Sequence, residues 1–187
     1  MKKSDLKEQP VHYHNYIKLV EDLPLKAAFD KYLTNLQNLN LDVLRELGDQ
    51  IYAPGKWTVR EILQHIIDWE RIFTYRSLIY VRQEENFPPA HDQDVLAVNS
   101  KANLRSLENI IDDFIIVRSS TISLFQSYDK EDLMKMYFYG ENHQNQMSIL
   151  ALGYSIIGHQ IHHFNIIQER YLPLLGEEVK LVLGSSC

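Results

Sequence analysis

Four long stretches of this chain place apolar side chains at every third or fourth position, the spacing of a helix with one buried face. They cover about residues 25–47, 58–82, 101–127 and 148–171. The chain has only 7 Gly and 6 Pro in 187 residues, too few for the many turns of a β-sandwich or barrel. Helices of about 20 residues are roughly 30 Å long and bury their apolar faces best against one another. The sequence therefore predicts an all-α fold, a four-helix bundle.

Two polar connections, at about 83–100 and 128–147, are longer than the loops of a simple up-and-down bundle. Connections of this length predict a topology with crossovers. The best-defined boundary is the start of the second helix. There, Thr58 is a suitable N-cap, and Glu61 three residues later completes a capping box.

No repeat, low-complexity tract or linker divides the sequence, so one domain is predicted over residues 1–187. Its bundle spans about 25–173. Apolar and aromatic side chains in the N-terminal arm, about 1–24, indicate that this arm packs on the bundle. The tail, about 174–187, has no predicted role.

Charge and composition limit the classes of partner. A net charge of −6 gives nucleic-acid binding little electrostatic support, and no apolar run is long enough for a membrane span. The first residues carry no apolar run behind their lysines, which argues against a secretory signal. One cysteine excludes a disulfide framework and a multi-cysteine zinc site. We therefore expect a cytoplasmic protein whose partner is a small molecule rather than nucleic acid or membrane.

Histidine is the residue type that offers chemistry here, and three of the eight histidines stand out. His159 and His163 are four residues apart and share the apolar stripe of the fourth helix, whereas His162 falls on its more polar side. His65 lies at the edge of the apolar arc of the second helix. Three imidazoles from two helices would form one face of a divalent metal site, with the remaining positions open to water or substrate. The alternative is a set of hydrogen-bonded core histidines without a metal.

Three further residues are candidates for supporting roles. Arg118 lies at the centre of the apolar stripe of the third helix, where a buried charge is costly unless it is paired. It either reaches solvent or pairs with an inward acid or an anionic group of the substrate. Asp68 could accept the N–H of a metal-bound imidazole. His162 is expected either at the surface or beside the metal ligands, and exposure is the alternative for Asp68 as well.

Two motifs resemble the signatures of one family. The segment from Pro54 to His65, PGKWTVREILQH, resembles the second-helix signature of the DinB superfamily, and Gly158 to His163, GHQIHH, resembles its last-helix signature. The resemblance implies a four-helix bundle with up-down-down-up topology. It also implies a divalent metal, one of Zn, Ni, Fe or Mn, held by residues matching His65, His159 and His163. Many members of the superfamily form homodimers, so a homodimer is expected.

The same resemblance implies a metal-dependent enzyme that acts on a small molecule. The superfamily includes YfiT-type metal-dependent hydrolases, and it also includes S-transferases that use a low-molecular-weight thiol such as bacillithiol. The sequence shows no compelling inward carboxylate near the histidines to act as a general base, which favours thiol transfer over hydrolysis as chemistry. The rival hypothesis is a non-enzymatic, metal-binding stress-response bundle protein.

Overall fold

The structure is a computed structural model, and it describes residues 1–8, 10–83, 90–140, 144–176 and 179–183. The regular elements of these residues are α1 (His14–Ile17), α2 (Leu25–Gln37), α3 (Leu41–Leu47), α4 (Val59–Val81), α5 (Gln93–Asn99), α6 (Leu107–Gln126), α7 (Lys130–Met134), β1 (Met136–Tyr139), β2 (Asn145–Ser148) and α8 (Ile149–Ile166). A π-helical turn, Ile167–Tyr171, continues α8. Within the described parts, the longest apolar helical stretches fall short of what crossing a membrane requires.

The bundle helices α4 and α6 run parallel. Glu70 near the middle of α4 contacts Arg118, and Ser77 near its end contacts Tyr128 just after α6, so residue numbers rise together along both helices. A parallel pair of consecutive bundle helices requires the chain to cross the length of the bundle between them. The connection between α4 and α6, described at residues 82–83 and 90–106, is long enough for this crossover, as its length predicted.

The helix α8 runs antiparallel to α4 and parallel to α2. His65 and Phe73 of α4 both contact His159, and His65 also contacts the later His163. Tyr154 of α8 donates a hydrogen bond to the backbone carbonyl of Leu23, just before α2, and Gln160, later in α8, donates to the carbonyl of Tyr32, later in α2. These directions confirm the four-helix bundle and its up-down-down-up topology.

The predicted start of the second bundle helix is confirmed. The backbone N–H of Glu61 donates to Thr58 Oγ1 at 3.2 Å, and the backbone N–H of Thr58 donates to the Glu61 carboxylate at 2.7 Å, which is a capping box. The Thr58 hydroxyl also donates to Asn103 Oδ1 at 2.7 Å. This contact fixes the end of the crossover against the start of α4.

The prediction of one continuous first helix over 25–47 is wrong, because the chain breaks between α2 and α3. Asn40 caps α3, and its backbone N–H donates to Leu181 in the tail at 2.8 Å. The carbonyl of Asn38 accepts from Leu183 at 2.8 Å. Asparagine favours helix caps over helix interiors, so Asn38 and Asn40 favour a helix break at Leu39. At this break, Leu39 forms an antiparallel bridge with Val182 of the tail.

The predicted start of the third helix at about 101 is also wrong. Lys101 has a φ of 54°, in the left-handed region, and α6 begins only after Ser106, whose hydroxyl accepts from the backbone N–H of Asn109. The connection predicted at 83–100 contains α5, while its segment 84–89 lies outside the described residues. The connection at 128–147 contains α7 and the β1–β2 hairpin, which the sequence analysis missed.

A buried polar layer crosses the bundle and divides its core into two apolar clusters. The Arg118 guanidinium donates to both carboxylate oxygens of Glu70, at 2.8 and 2.9 Å, and to Gln160 Oε1 at 2.7 Å. Gln160 in turn donates to the carbonyl of Tyr32 at 3.3 Å. One group from each of α2, α4, α6 and α8 therefore lies at this level, which fixes the height of the helices relative to one another.

The N-terminal arm packs on the bundle, as predicted. Ile17 and Val20 join an apolar cluster with Leu150 and Ile157 of α8. Gly158 permits this contact, because a Cβ atom at that position would overlap the backbone carbonyl of Tyr16 in α1. The arm is therefore held directly beside the histidines of α8.

We expect Gly158→Ala to displace α1 and to lower the free energy of unfolding by about 3 kcal/mol, because the added carbon meets backbone that cannot move alone. The matched control is Gly153→Ala in the same helix. Its Cβ meets side-chain atoms of Leu25 and Phe125, at 2.9 and 3.0 Å, which can shift. Its strain is offset by the better helix propensity of Ala, so its net effect should be near zero. Urea unfolding measures both, and equal stabilities of the two variants would contradict the expected contact.

Candidate metal centre

Three imidazoles meet between α4 and α8. His65 Nε2 and His163 Nε2 each lie 3.1 Å from His159 Nε2. The three potential ligand atoms all lie within 4.8 Å of one another, and His65 and His159 are buried. The structure therefore brings together the three histidines that the sequence analysis singled out.

Local helix geometry explains this convergence. His159 and His163 are one turn apart on α8, so their rings project from the same face. The antiparallel packing of α4 on α8 brings His65 opposite this pair. Gln160 follows His159 directly and is held in the polar layer by Arg118, so the rotation of α8 about its own axis is fixed next to the imidazoles.

The three rings suit a divalent cation as ligands. Neutral imidazole carries one N–H, so three ring nitrogens that face each other cannot all be satisfied by hydrogen bonds among themselves. Three lone pairs directed at one cation satisfy all of them. In a tetrahedral site with metal–nitrogen bonds of 2.0–2.1 Å the nitrogens would be about 3.3 Å apart. The two separations from His159 Nε2, at 3.1 Å each, are close to this value.

The protonation state favours this role as well. Burial, together with the neighbouring imidazoles, lowers the pKa of His65 to about 4 and that of His163 to about 2. Burial and the other histidines hold the pKa of His159 well below its usual range. All three rings are therefore neutral near pH 7, which is the form that binds metals.

We expect the metal-free protein to lose stability as the pH falls from 7.5 to 5. Unfolded histidines take up a proton near pH 6.5, whereas the folded His65 resists protonation until about pH 4. The unfolded state thus binds more protons across this interval, so stability is full above pH 6.5 and declines below it, by about 2 kcal/mol for one ring at pH 5. Urea midpoints at pH 7.5, 6 and 5 measure the loss. The variant His163→Gln should show a smaller pH dependence and His12→Ala, at an exposed position, an unchanged one; a wild-type midpoint independent of pH would contradict the assignment.

Aromatic side chains surround the imidazoles. The ring of Tyr16 in α1 lies 5.3 Å from that of His159 and also 5.3 Å from that of His162. Trp57 lies 4.8 Å from His65, and Trp69 lies 6.3 Å from it on the other side, one helical turn away. These rings exclude water from much of the centre, which strengthens electrostatic interactions within it.

A cavity of about 260 Å³ adjoins the centre at His163. Tyr52, Trp57 and Tyr171 give it aromatic walls, and Lys56 and Asp94 supply one charge of each sign. The Tyr171 hydroxyl donates to the carbonyl of Trp57, which fixes these two walls relative to each other. The centre is therefore accessible to a molecule of small size.

The remaining predicted site residues lie close to the histidines but have partners of their own. Asp68 accepts a hydrogen bond from the Gln64 side chain at 2.8 Å. His162 is partly exposed, with its ring 5.1 Å from that of His163. Arg118 is fully buried and pairs with the inward acid Glu70, which is one of the two arrangements considered for it. The supporting roles of Asp68 and His162, and substrate binding by Arg118, stay predictions.

The contacts of Tyr16 and Trp69 with the imidazoles were not predicted from the sequence. Gly158 is the sequence signal for a close contact here, because a glycine inside an apolar helix indicates that another segment of backbone packs against it. In the structure that segment contains Tyr16. Trp69 lies one turn after His65 on the same face of α4, so its position followed from the helical spacing.

Comparisons with known proteins agree with this description. No curated protein matches the chain in a sequence search. Among solved structures, the chain is similar to YfiT from Bacillus subtilis, with a TM-score of 0.64 and 13% identity over 88% of this chain and 87% of that one. YfiT is described as a probable metal-dependent hydrolase with an unusual four-helix bundle topology, and at this identity the likeness shows a shared fold. The family model of the DinB superfamily matches residues 11–167, which is most of the chain. The chain therefore belongs to the DinB superfamily.

Proposed function

We propose that this protein is a metal-dependent enzyme that hydrolyses a small molecule at the centre formed by His65, His159 and His163. One observation carries the proposal: three neutral imidazole nitrogens converge from two helices beside a small cavity, those of His65 and His163 each 3.1 Å from that of His159. The description of YfiT, which shares the fold, as a probable metal-dependent hydrolase supports it.

The residues have distinct tasks in this proposal. The three histidines hold a divalent cation, one of Zn, Ni, Fe or Mn, and leave its remaining positions open. When bound, such a cation lowers the pKa of a water or thiol and polarises the electrophile. Tyr16 and Trp57 limit access of bulk water, and the cavity beside His163 admits the substrate. A homodimer and a cytoplasmic location remain part of the proposal.

Transfer of a low-molecular-weight thiol such as bacillithiol is the second candidate. The observation that favours it concerns the acids near the imidazoles in the described residues. Glu70 is bound at both oxygens by Arg118, and Asp68 is engaged by Gln64. Neither of these two carboxylates is free to act as a general base, which hydrolysis requires more than the attack of a thiol does, so hydrolysis would depend on Asp94 in the cavity wall.

Parallel assays on untagged protein reconstituted with each metal separate these functions. Chromogenic esters and amides test hydrolysis, and a chromogenic electrophile with bacillithiol or glutathione tests thiol transfer. We expect hydrolysis that is lost in His159→Ala and retained in His12→Ala, since His12 is exposed and lies outside the centre. Turnover only with added thiol would establish the second candidate instead. Bound metal without turnover in any assay would refute both and leave the non-enzymatic, metal-binding stress-response protein.

A further inference from the structure

We propose that the cavity beside His163 recognises a small aromatic amide with a free carboxylate, the chemistry of an N-acylated aromatic amino acid, and that Lys56 binds that carboxylate. The identification of this ligand as the substrate rests on the proposed function, whereas its binding does not. The cavity measures about 260 Å³ and is lined by residues at the start of α4, in α5 and at the end of α8. Drug-sized ligands take cavities of about 300–1,000 Å³, so this one suits a smaller molecule.

Three aromatic side chains form a connected wall of this cavity. The exposed ring of Tyr52 stands edge-on to that of Tyr171, with ring centres 5.1 Å apart. The Tyr171 hydroxyl donates to the carbonyl of Trp57, and the Trp57 ring lies 4.8 Å from that of His65. The wall therefore runs from the surface to the histidine centre, and a flat apolar group of a ligand can pack along it.

Lys56 lies at the outer end of this wall and adds a positive charge to it. Its Nζ atom is 6.0 Å from the centre of the Tyr52 ring, and its side chain is exposed. No carboxylate of the residues that the structure describes forms an ion pair with this ammonium. It can therefore bind the carboxylate of a ligand that packs on the same ring. Wall and charge together select an aromatic anion over its neutral analogue.

Asp94 of α5 supplies the opposite charge of the cavity lining. Because like charges repel, a ligand carboxylate binds at Lys56 rather than at Asp94, and the amide group is left toward Asp94 and His163. Hydrolysis of that amide adds the hydroxyl of one water to the carbonyl carbon and breaks the bond from this carbon to nitrogen. The proton that Asp94 takes from the water passes to the nitrogen, so a carboxylic acid and an aromatic amino acid are released.

Calorimetric titration of metal-free protein with N-acetylphenylalanine tests the recognition without any metal contact. Two analogues separate the parts of the ligand: N-acetylphenylalaninamide lacks the negative charge, and N-acetylalanine lacks the ring. At low ionic strength we expect the amide to bind at least about fivefold more weakly than N-acetylphenylalanine, because it does not pair with Lys56. N-acetylalanine should bind at least about tenfold more weakly, because it leaves the aromatic wall uncovered.

Variants assign each part of the recognition to a residue. Lys56→Met should weaken N-acetylphenylalanine binding by about fivefold and leave the amide analogue unchanged, so the preference for the anion disappears. The matched control Lys130→Met changes an exposed lysine of α7 and should keep the preference. Asp94→Asn should bind N-acetylphenylalanine at least as well as the wild type, yet its zinc-loaded form should hydrolyse it at least about a hundredfold more slowly. Asp112→Asn, at an exposed position of α6, is the control for that change.

Equal binding of N-acetylphenylalanine and its amide, no binding of either, or a Lys56→Met protein that keeps the preference would overturn the inference. Preference for the anion in a protein that holds no zinc or hydrolyses nothing would refute the proposed function and leave this recognition site standing. Hydrolysis of other esters or amides by a protein without this preference would refute the site alone.

Discussion

Replacing His159 by Ala should reduce bound metal from about one ion per chain to below about 0.1 after reconstitution, and should weaken metal affinity at least about a thousandfold. His159 is the central ligand, because its Nε2 atom lies 3.1 Å from that of His65 and from that of His163. Without it, two nitrogens remain on different helices, and two ligands rarely hold a divalent cation against water. Elemental analysis of untagged protein and competition with a chelator measure the two quantities.

Two variants make this result specific to the ligand set. His163→Ala should lose metal to a similar extent, whereas His12→Ala should retain it, since His12 is exposed and far from the centre in sequence. Circular dichroism checks that each variant keeps its helices. Full metal content in a folded His159→Ala protein would mean that the ligands are other residues.

Replacing Arg118 by Met should lower the free energy of unfolding by about 4 kcal/mol and the melting temperature by about 10 °C. Arg118 is completely buried and binds both oxygens of Glu70, and it also donates to Gln160. Met fills much of the space but leaves the Glu70 carboxylate buried without its partner. The loss of stability therefore comes mainly from the buried, unpaired charge of Glu70 rather than from the lost contact. Thermal and urea unfolding measure it.

The double variant Arg118→Met, Glu70→Met should recover most of this loss, because it removes both charges from the core together. The surface control is Arg71→Met, which breaks an ion pair with Asp113 at 2.6 Å and should cost less than about 1 kcal/mol. An Arg118→Met protein as stable as Arg71→Met would show that the buried layer contributes little to the fold.

Local spacing in the sequence was enough to predict that two of the three histidines of the centre lie together. The pair His159 and His163 follows from the helical repeat alone, since residues four apart share a face. The structure places their rings together as that spacing predicts. Contacts across helices depend on axial register, which spacing within one helix does not determine. Helical spacing placed His65 on the apolar arc of its own helix but could not show that it meets this pair, so the family resemblance added the support, and the partner of Arg118, Glu70, was not predicted.

The errors in the predicted fold also come from contacts that local sequence patterns do not determine. The helix break near Leu39 depends on hydrogen bonds from residues 181–183, more than 140 positions away, although Asn38 and Asn40 already weakened the helix there. The hairpin was missed because its strands have four residues each, too few for a clear alternating pattern. The long helices α4 and α8 were predictable because each repeats its apolar pattern over several turns.

X-ray absorption at the metal edge of untagged, zinc-reconstituted protein tests the central claim most directly. The account predicts about one zinc ion per chain, with three imidazole nitrogens at about 2.0–2.1 Å and a remaining light ligand. In His159→Ala this signal should disappear. A wild-type protein with less than about 0.1 ion per chain, or a zinc shell without imidazole, would contradict the assignment of His65, His159 and His163 as a metal centre.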